Sequence, residues 1–232
     1  MKNVAFIVPT TTNKREYTTL NETELYKFLL PSIISLSTDF KIQVFIGYDN
    51  DDPLFSRTDL PKFYNNHHNI IQLNWIAVED MKGKPTHIWN HLADIAIEND
   101  FEYLMVLGDD IICDSRKEWL GIFIKELKKN HNIGFSAGWS NNNDIPTQFL
   151  IHKTHIDMFG WVYPPLIHNW FCDNWLADIY GKKYGNWLKE YKLINAGGEP
   201  RYIPKDDKKL CKMLVHRHTP TINRYINLNL HR

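Results

Sequence analysis

The sequence predicts an α/β fold: a mixed, mostly parallel sheet flanked by helices, built as a single domain over residues 1–232. Two continuous apolar runs, Val4–Val8 and Tyr103–Leu107, lack the alternation of a strand with one wet face and read as strands buried on both sides. Segments with helical spacing fall between such runs, the order that places helices on the faces of a parallel sheet. Each run also stops in a polar loop.

The elements follow in order. Val4–Val8 ends in Pro9 and the threonines Thr10–Thr12. Glu22–Leu36 has a helical pattern interrupted at Pro31. Ile42–Gly47 is a second strand and runs into the acidic loop Tyr48–Pro53; Ile70–Val78 is a third. Pro85 stands in the first turn of a helix whose apolar face is Ile88, Leu92, Ile95 and Ala96. Tyr103–Leu107 leads into Gly108-Asp109-Asp110, and Glu118–Lys128 is amphipathic. Ile133–Trp139 is a further strand, followed by the polar loop Ser140–Asp144. Open α/β sheets bind ligands beyond the carboxyl ends of their strands, so Thr10–Thr12, Asp49–Asp52 and Asp109–Asp110 are expected along one edge.

Composition narrows the function classes. The 27 Lys and Arg balance 27 Asp and Glu, which disfavours a general electrostatic grip on nucleic acid or anionic lipid. Three cysteines with no CxxC exclude a disulfide framework and a zinc knuckle and favour a reducing compartment. Val4–Val8 is too short for the apolar region of a signal peptide, and Pro31 breaks the Phe28–Leu36 stretch. A cytoplasmic protein is the expectation. No GxGxxG, GxxxxGK[ST] or GxSxG occurs.

Three constellations carry chemistry. Asp109-Asp110 follows a buried strand, where paired carboxylates suit Mg²⁺ or Mn²⁺ with open positions; such a pair also forms an ordinary solvated turn. His216 and His218 are two apart, share one face if the segment is a strand, and would complement an oxygen-ligated metal begun at Asp110. For the pair alone, a partly exposed strand end is the simpler reading. His168–Trp175 sets Asp173 among aromatics, as for a general base facing a sugar hydroxyl with Trp170 or Trp175 as the stacking face. Asp173 or Asn174 equally suits the N-cap of the following helix, and spacing alone favours the cap. Gly197-Gly198 reads as a flexible turn and Asp49–Asp52 as a solvated loop; Lys82 and Lys84 precede a helix start near Thr86 whose backbone N–H groups could receive phosphate, although such a start is common.

Taken together, the chain resembles the GT-A fold glycosyltransferases, and within them the small enzymes of bacteriophages and large viruses. The matching stretches are Val4–Thr12, Gly47-Tyr48-Asp49, Leu107–Asp110, Gly160–Pro165, His168–Trp175, Arg201–Pro204 and Val215–His218, in the family's order. The resemblance implies a nucleotide-diphosphate sugar donor, a Mn²⁺ or Mg²⁺ ion and a glycan or other hydroxyl acceptor. Residues 1–112 would form the nucleotide-sugar half and 113–232 the acceptor half. By position Asp110 matches the metal-binding last acid of the DxD motif, and Gly108 replaces the first acid, with Asp109 as its substitute toward the donor ribose. Thr10 and Asp49 match base-contacting positions, Asp173 matches the base of inverting members, and His216 or His218 the late metal-binding histidine. Trp170 and Asn174 join the substrate-binding set; in a retaining enzyme Asp173 is not required as the base. Two other classes compete: a non-catalytic nucleotide-sugar or glycan-binding module, and a metal-dependent phosphohydrolase built on Asp109, Asp110 and the histidines.

Overall fold

The computed structural model describes residues 2–34, 36, 40–57, 59–66, 69–141 and 145–230. Strands β1 (Lys2–Thr10), β2 (Phe40–Asp49), β4 (Asn69–Val78) and β5 (Tyr103–Val106) form a parallel core in the order β4-β2-β1-β5, and β3 (Phe63–Asn66) pairs antiparallel with β4 at one edge. Beyond β5 the sheet continues through β8 (Phe149–His152), β7 (Phe135–Trp139), β9 (Gly185–Asn195) and β6 (Ile111–Cys113). In that half only the β7–β9 pair is parallel; β5–β8, β7–β8 and β6–β9 are antiparallel.

The period of two along β1 explains why the sheet is dry on both faces. Ala5 and Ile7 point to one side, toward helix α2 (Pro85–Glu98), and share a core with Ile88, Leu92 and Ala96. That core extends to α4 (Thr154–Phe159), α5 (Cys172–Tyr184) and α6 (Lys208–Asn229). Val4, Phe6 and Val8 point to the other side, against α1 (Leu30–Ile33) and α3 (Trp119–Lys129). Truncating a ring such as Phe6 would cost about 3–5 kcal/mol, because neither layer can close over the gap.

Two elements depart from the sequence reading. Pro31 does not break the helix before it. A π-turn over Leu25–Leu29 widens the ladder, with the Leu30 N–H donating to Leu25 O, and α1 then carries Pro31 in its first turn. There the missing N–H is of no consequence. The second departure is at the carboxyl end, where Met213–His218 is helical rather than extended. Buried Cys211, Leu214 and Ile222, with Val215, Tyr225 and Ile226 packed beside them, form a helical stripe, and it overrides both the His-Arg-His alternation and Pro220. Of the loop Ser140–Asp144, residues 142–144 lie outside the described residues. Among the described residues no helix is long and apolar enough to cross a membrane.

Candidate active site

The carboxyl ends of β1, β2 and β5 lie side by side, as parallel pairing requires. They open into a cavity of about 490 Å³ lined by Thr10, Asp49, Gly108, Asp109 and Asp110. The loop before α2 adds Lys82–Pro85, the start of α5 adds Trp170, Phe171, Asp173 and Asn174, and the segment after β9 adds Arg201 and Tyr202. Seven of the expected site residues are therefore together.

The two neighbouring acids have different surroundings. Asp109 is met by a bidentate ion pair with Arg201, in which Nη1 donates to Oδ2 at 2.7 Å and Nη2 donates to Oδ1, while the Thr10 hydroxyl donates to Oδ2 at 2.6 Å. The pair is nearly dry, with the carboxylate side chain 1% and the guanidinium side chain 13% exposed. Its carboxylate is engaged by Arg201 and Thr10 while Asp109 still lines the cavity in which a donor ribose contact is expected. Arg201 also donates to Thr11 O at 2.8 Å, and the Asn13 amide donates to Arg201 O at 2.5 Å, so the segment after β9 is strapped to the loop after β1.

Asp110 has no such partner; among the described residues no basic side chain lies within ion-pair distance of it. Burial, and then the charge of Asp109, push its carboxyl up to about 6, against the pull of Arg201. Gly197 packs on this carboxylate so closely that a Cβ there would lie 2.0 Å from Oδ2. Gly197 is thus a close-approach position, while Gly198, with φ 74° and open space beside it, is the turn glycine of the pair. The donor set bears on metal binding. Among the described residues no group of three or more His, Cys, Asp or Glu is placed to hold an ion. One unpaired, desolvated carboxylate suits instead a hard cation that takes its remaining ligands from a phosphorylated substrate and water.

His216 and His218 do not join this site. Both lie on α6 and neither lines the cavity. His216 is exposed, and the His218 ring sits against Trp161 and Trp175 and accepts from Trp175 Nε1 through Nδ1 at 3.2 Å. The expectation that they share a strand face with a metal begun at Asp110 is corrected, because the helix leaves His216 on the surface and turns His218 into the packing against Trp161 and Trp175. Trp175 is likewise buried core, so of the two tryptophans expected as a stacking face only Trp170, 48% exposed, lines the cavity.

Asp173 lies in the first turn of α5, but the cap position belongs to Phe171, in the left-handed region at φ 71°, and no side chain caps the helix. The cap reading of Asp173 and Asn174 is thereby removed. A left-handed phenylalanine is costly, on the order of 1–3 kcal/mol. It is held in place by Asn169, which receives N–H groups from Trp170 and Lys205 and donates to Gly83 O and Ile203 O. Burial pushes the Asp173 carboxyl up to about 6, opposed by hydrogen bonds from the Tyr163 hydroxyl at 2.8 Å and the Cys172 thiol at 3.5 Å.

The acidic loop after β2 divides in the same manner. Asp52 is buried and structural, accepting from Thr12 N and Oγ1 and from the N–H groups of Leu54 and Phe55. Asp49 faces the cavity, and burial raises its carboxyl. Helix α2 spans the site: Trp89 Nε1 donates to Leu107 O at 3.0 Å, and Asn90 receives the N–H groups of Val162 and Tyr163 and donates to Tyr163 O.

A mixed sheet with this site at its carboxyl edge is a GT-A-like glycosyltransferase fold. The chain is similar to the 1–349 segment of S. aureus TarS, with a TM-score of 0.58 and 14% identity over 94% of this chain and 65% of that one. The same segment in complex with UDP-GlcNAc gives 0.56 and 14%, over 94% and 66%, and a longer TarS chain gives 0.55 and 13%, over 93% and 39%. The chain thus spans less than two thirds of each of these TarS chains. At such identity the likeness defines the fold, and it lends no support to the narrower viral resemblance. No family model matches the sequence, and no curated protein matches it.

Proposed function

We propose that this chain transfers a sugar from a nucleotide-diphosphate donor to an acceptor hydroxyl, with Asp110 as the protein ligand of a Mn²⁺ or Mg²⁺ ion and Asp173 as the base. The observation that carries the reading is the pairing, in one cavity, of two desolvated carboxyls with different surroundings, Asp110 and Asp173, each near 6. The fold supports it, since the similar TarS segment has been solved with UDP-GlcNAc and with UDP.

In this reading Thr10 and Asp49 border the nucleotide base, and Trp170 and Asn174 border the acceptor. When bound, the cation supplies Lewis-acid neutralisation of the diphosphate. The acceptor oxygen attacks the anomeric carbon as the bond from that carbon to the diphosphate oxygen breaks. The electron pair leaves with the nucleoside diphosphate, and the acceptor proton passes to Asp173. A carboxyl that titrates near 6 is ionised at neutral pH and still basic enough to receive that proton.

A thermal-shift screen of nucleotide sugars with and without Mn²⁺, followed by an assay for released nucleoside diphosphate, tests the proposal. A ligand at a hundredfold excess over its Kd stabilises the fold by about 2.7 kcal/mol. Mn²⁺-dependent stabilisation with sugar transfer supports it. Binding without release would leave a nucleotide-sugar-binding module, and phosphoester cleavage without a sugar acceptor a phosphohydrolase.

A further inference from the structure

The Gly160–Pro165 loop carries a tyrosine that the chemistry above does not use. Tyr163 is buried, and its backbone is fixed from two directions. From α2, Asn90 Oδ1 accepts from Val162 N at 3.0 Å and from Tyr163 N at 2.9 Å, and Asn90 Nδ2 donates to Tyr163 O at 2.8 Å. From α4, His155 holds Val162 O through Nε2 at 3.0 Å, while its Nδ1 is 2.7 Å from the Tyr180 hydroxyl. Burial lowers His155 to about 4, so the ring is neutral and donates through Nε2.

The fixed ring delivers its hydroxyl to one atom. Tyr163 Oη donates to Asp173 Oδ1 at 2.8 Å, and the Cys172 thiol reaches the same oxygen at 3.5 Å. Among the described residues Oδ2 has no protein partner, and Asp173 lines the cavity. We infer that Tyr163 is a positioning residue, holding one Asp173 oxygen so that the other faces the acceptor. The inference rests on the reading of Asp173 as the base.

The titratable groups that face Asp173 are Tyr163 from the loop, Cys172 from its own helix and Tyr202 from the segment after β9. Burial raises all three, so each is neutral at physiological pH; Tyr163 and Cys172 are the two that donate to Asp173, and no cation shares the task. A hydrogen bond from a neutral donor favours the charged carboxylate, so its removal makes Asp173 harder to ionise.

Tyr163→Phe keeps the ring and deletes the donor. The expected result is an unchanged donor Kd, with the acid limb of kcat/KM displaced upward by about one pH unit and activity largely recovered on the alkaline side. A limb that stays in place, in a variant that still turns over donor, overturns the inference and leaves the transferase reading standing. A measurement independent of turnover separates the two: ¹³C-carboxyl NMR of Asp173, assigned with Asp173→Asn. Its midpoint should rise in Tyr163→Phe even if no donor is ever turned over, and an unmoved midpoint overturns the inference. If Tyr163→Phe fails to fold, Cys172→Ala decides, because Tyr163 is then the remaining donor to Oδ1. A midpoint near wild type supports the inference, and a rise of about one unit would assign the hold to Cys172 instead.

Discussion

The tip of β5 and the start of α5 both bring carboxylates into the cavity, and they compensate the loss of water in opposite ways. At the strand tip a full charge answers a charge: Arg201 grips Asp109 and leaves Asp110 beside it unpaired. At the helix start only neutral donors are offered, a phenol and a thiol on one oxygen of Asp173. The first arrangement neutralises Asp109 and leaves Asp110 as the carboxylate to which the proposed cation would bind. The second keeps a group that exchanges a proton near physiological pH. Under the proposed function, that contrast would let one cavity serve two roles with the same residue type.

The sharpest way to break this comparison is Asp173→Asn, which should lower kcat by about 10²–10⁴-fold while donor affinity holds. In the folded chain Asp173 keeps its proton up to about 6, against about 4 when unfolded. Its contribution to stability is therefore full below about 4 and is lost as pH rises through 6. Asn escapes that loss, so thermal melts at neutral pH should place the variant at or above wild type. Retained transfer would remove Asp173 as the base.

Next in size is Arg201→Met, which leaves Asp109 buried without its counter-ion and should cost about 3–5 kcal/mol in denaturant titration. A loss below about 1 kcal/mol would mean that the pair is solvated in solution. Asp110→Ala should weaken Mn²⁺-dependent binding of a nucleoside diphosphate by about 10²-fold in calorimetry, and undiminished metal dependence would take Asp110 out of the metal shell. The smallest change is Thr10→Val, which deletes one donor to Asp109 while Arg201 stays. Equilibrium unfolding should register about 1–2 kcal/mol, and no loss at all would show the Thr10 bond to be idle.

Much of this was legible in the sequence. Buried strands announce themselves by unbroken apolar runs, and parallel order alone is enough to predict that Thr10, Asp49 and Asp110 share an edge. What sequence reasoning missed depends on contacts between distant loops. Asp109 and Arg201 are 92 positions apart, and no local pattern says which acid of the pair receives the guanidinium. Arg201 did lie in one of the stretches that match the family pattern, but its partner is set by the path of the chain after β9. The cap reading failed because nothing local marks Phe171 as left-handed; Asn169 holds it from outside the helix. The reading of α6 failed differently. Cys211, Leu214, His218 and Ile222 keep helical spacing in the sequence, but the short apolar run Met213–Val215 and the His pair two apart read more simply as a strand.

Trp89 and Asn90 are consecutive residues of one helix. The first fastens the end of the β5 run, two positions before Asp109, and the second fastens the loop that carries Tyr163. Two adjacent side chains thus tie both arms of the cavity to the same turn of α2, and substituting either would release its arm from that helix.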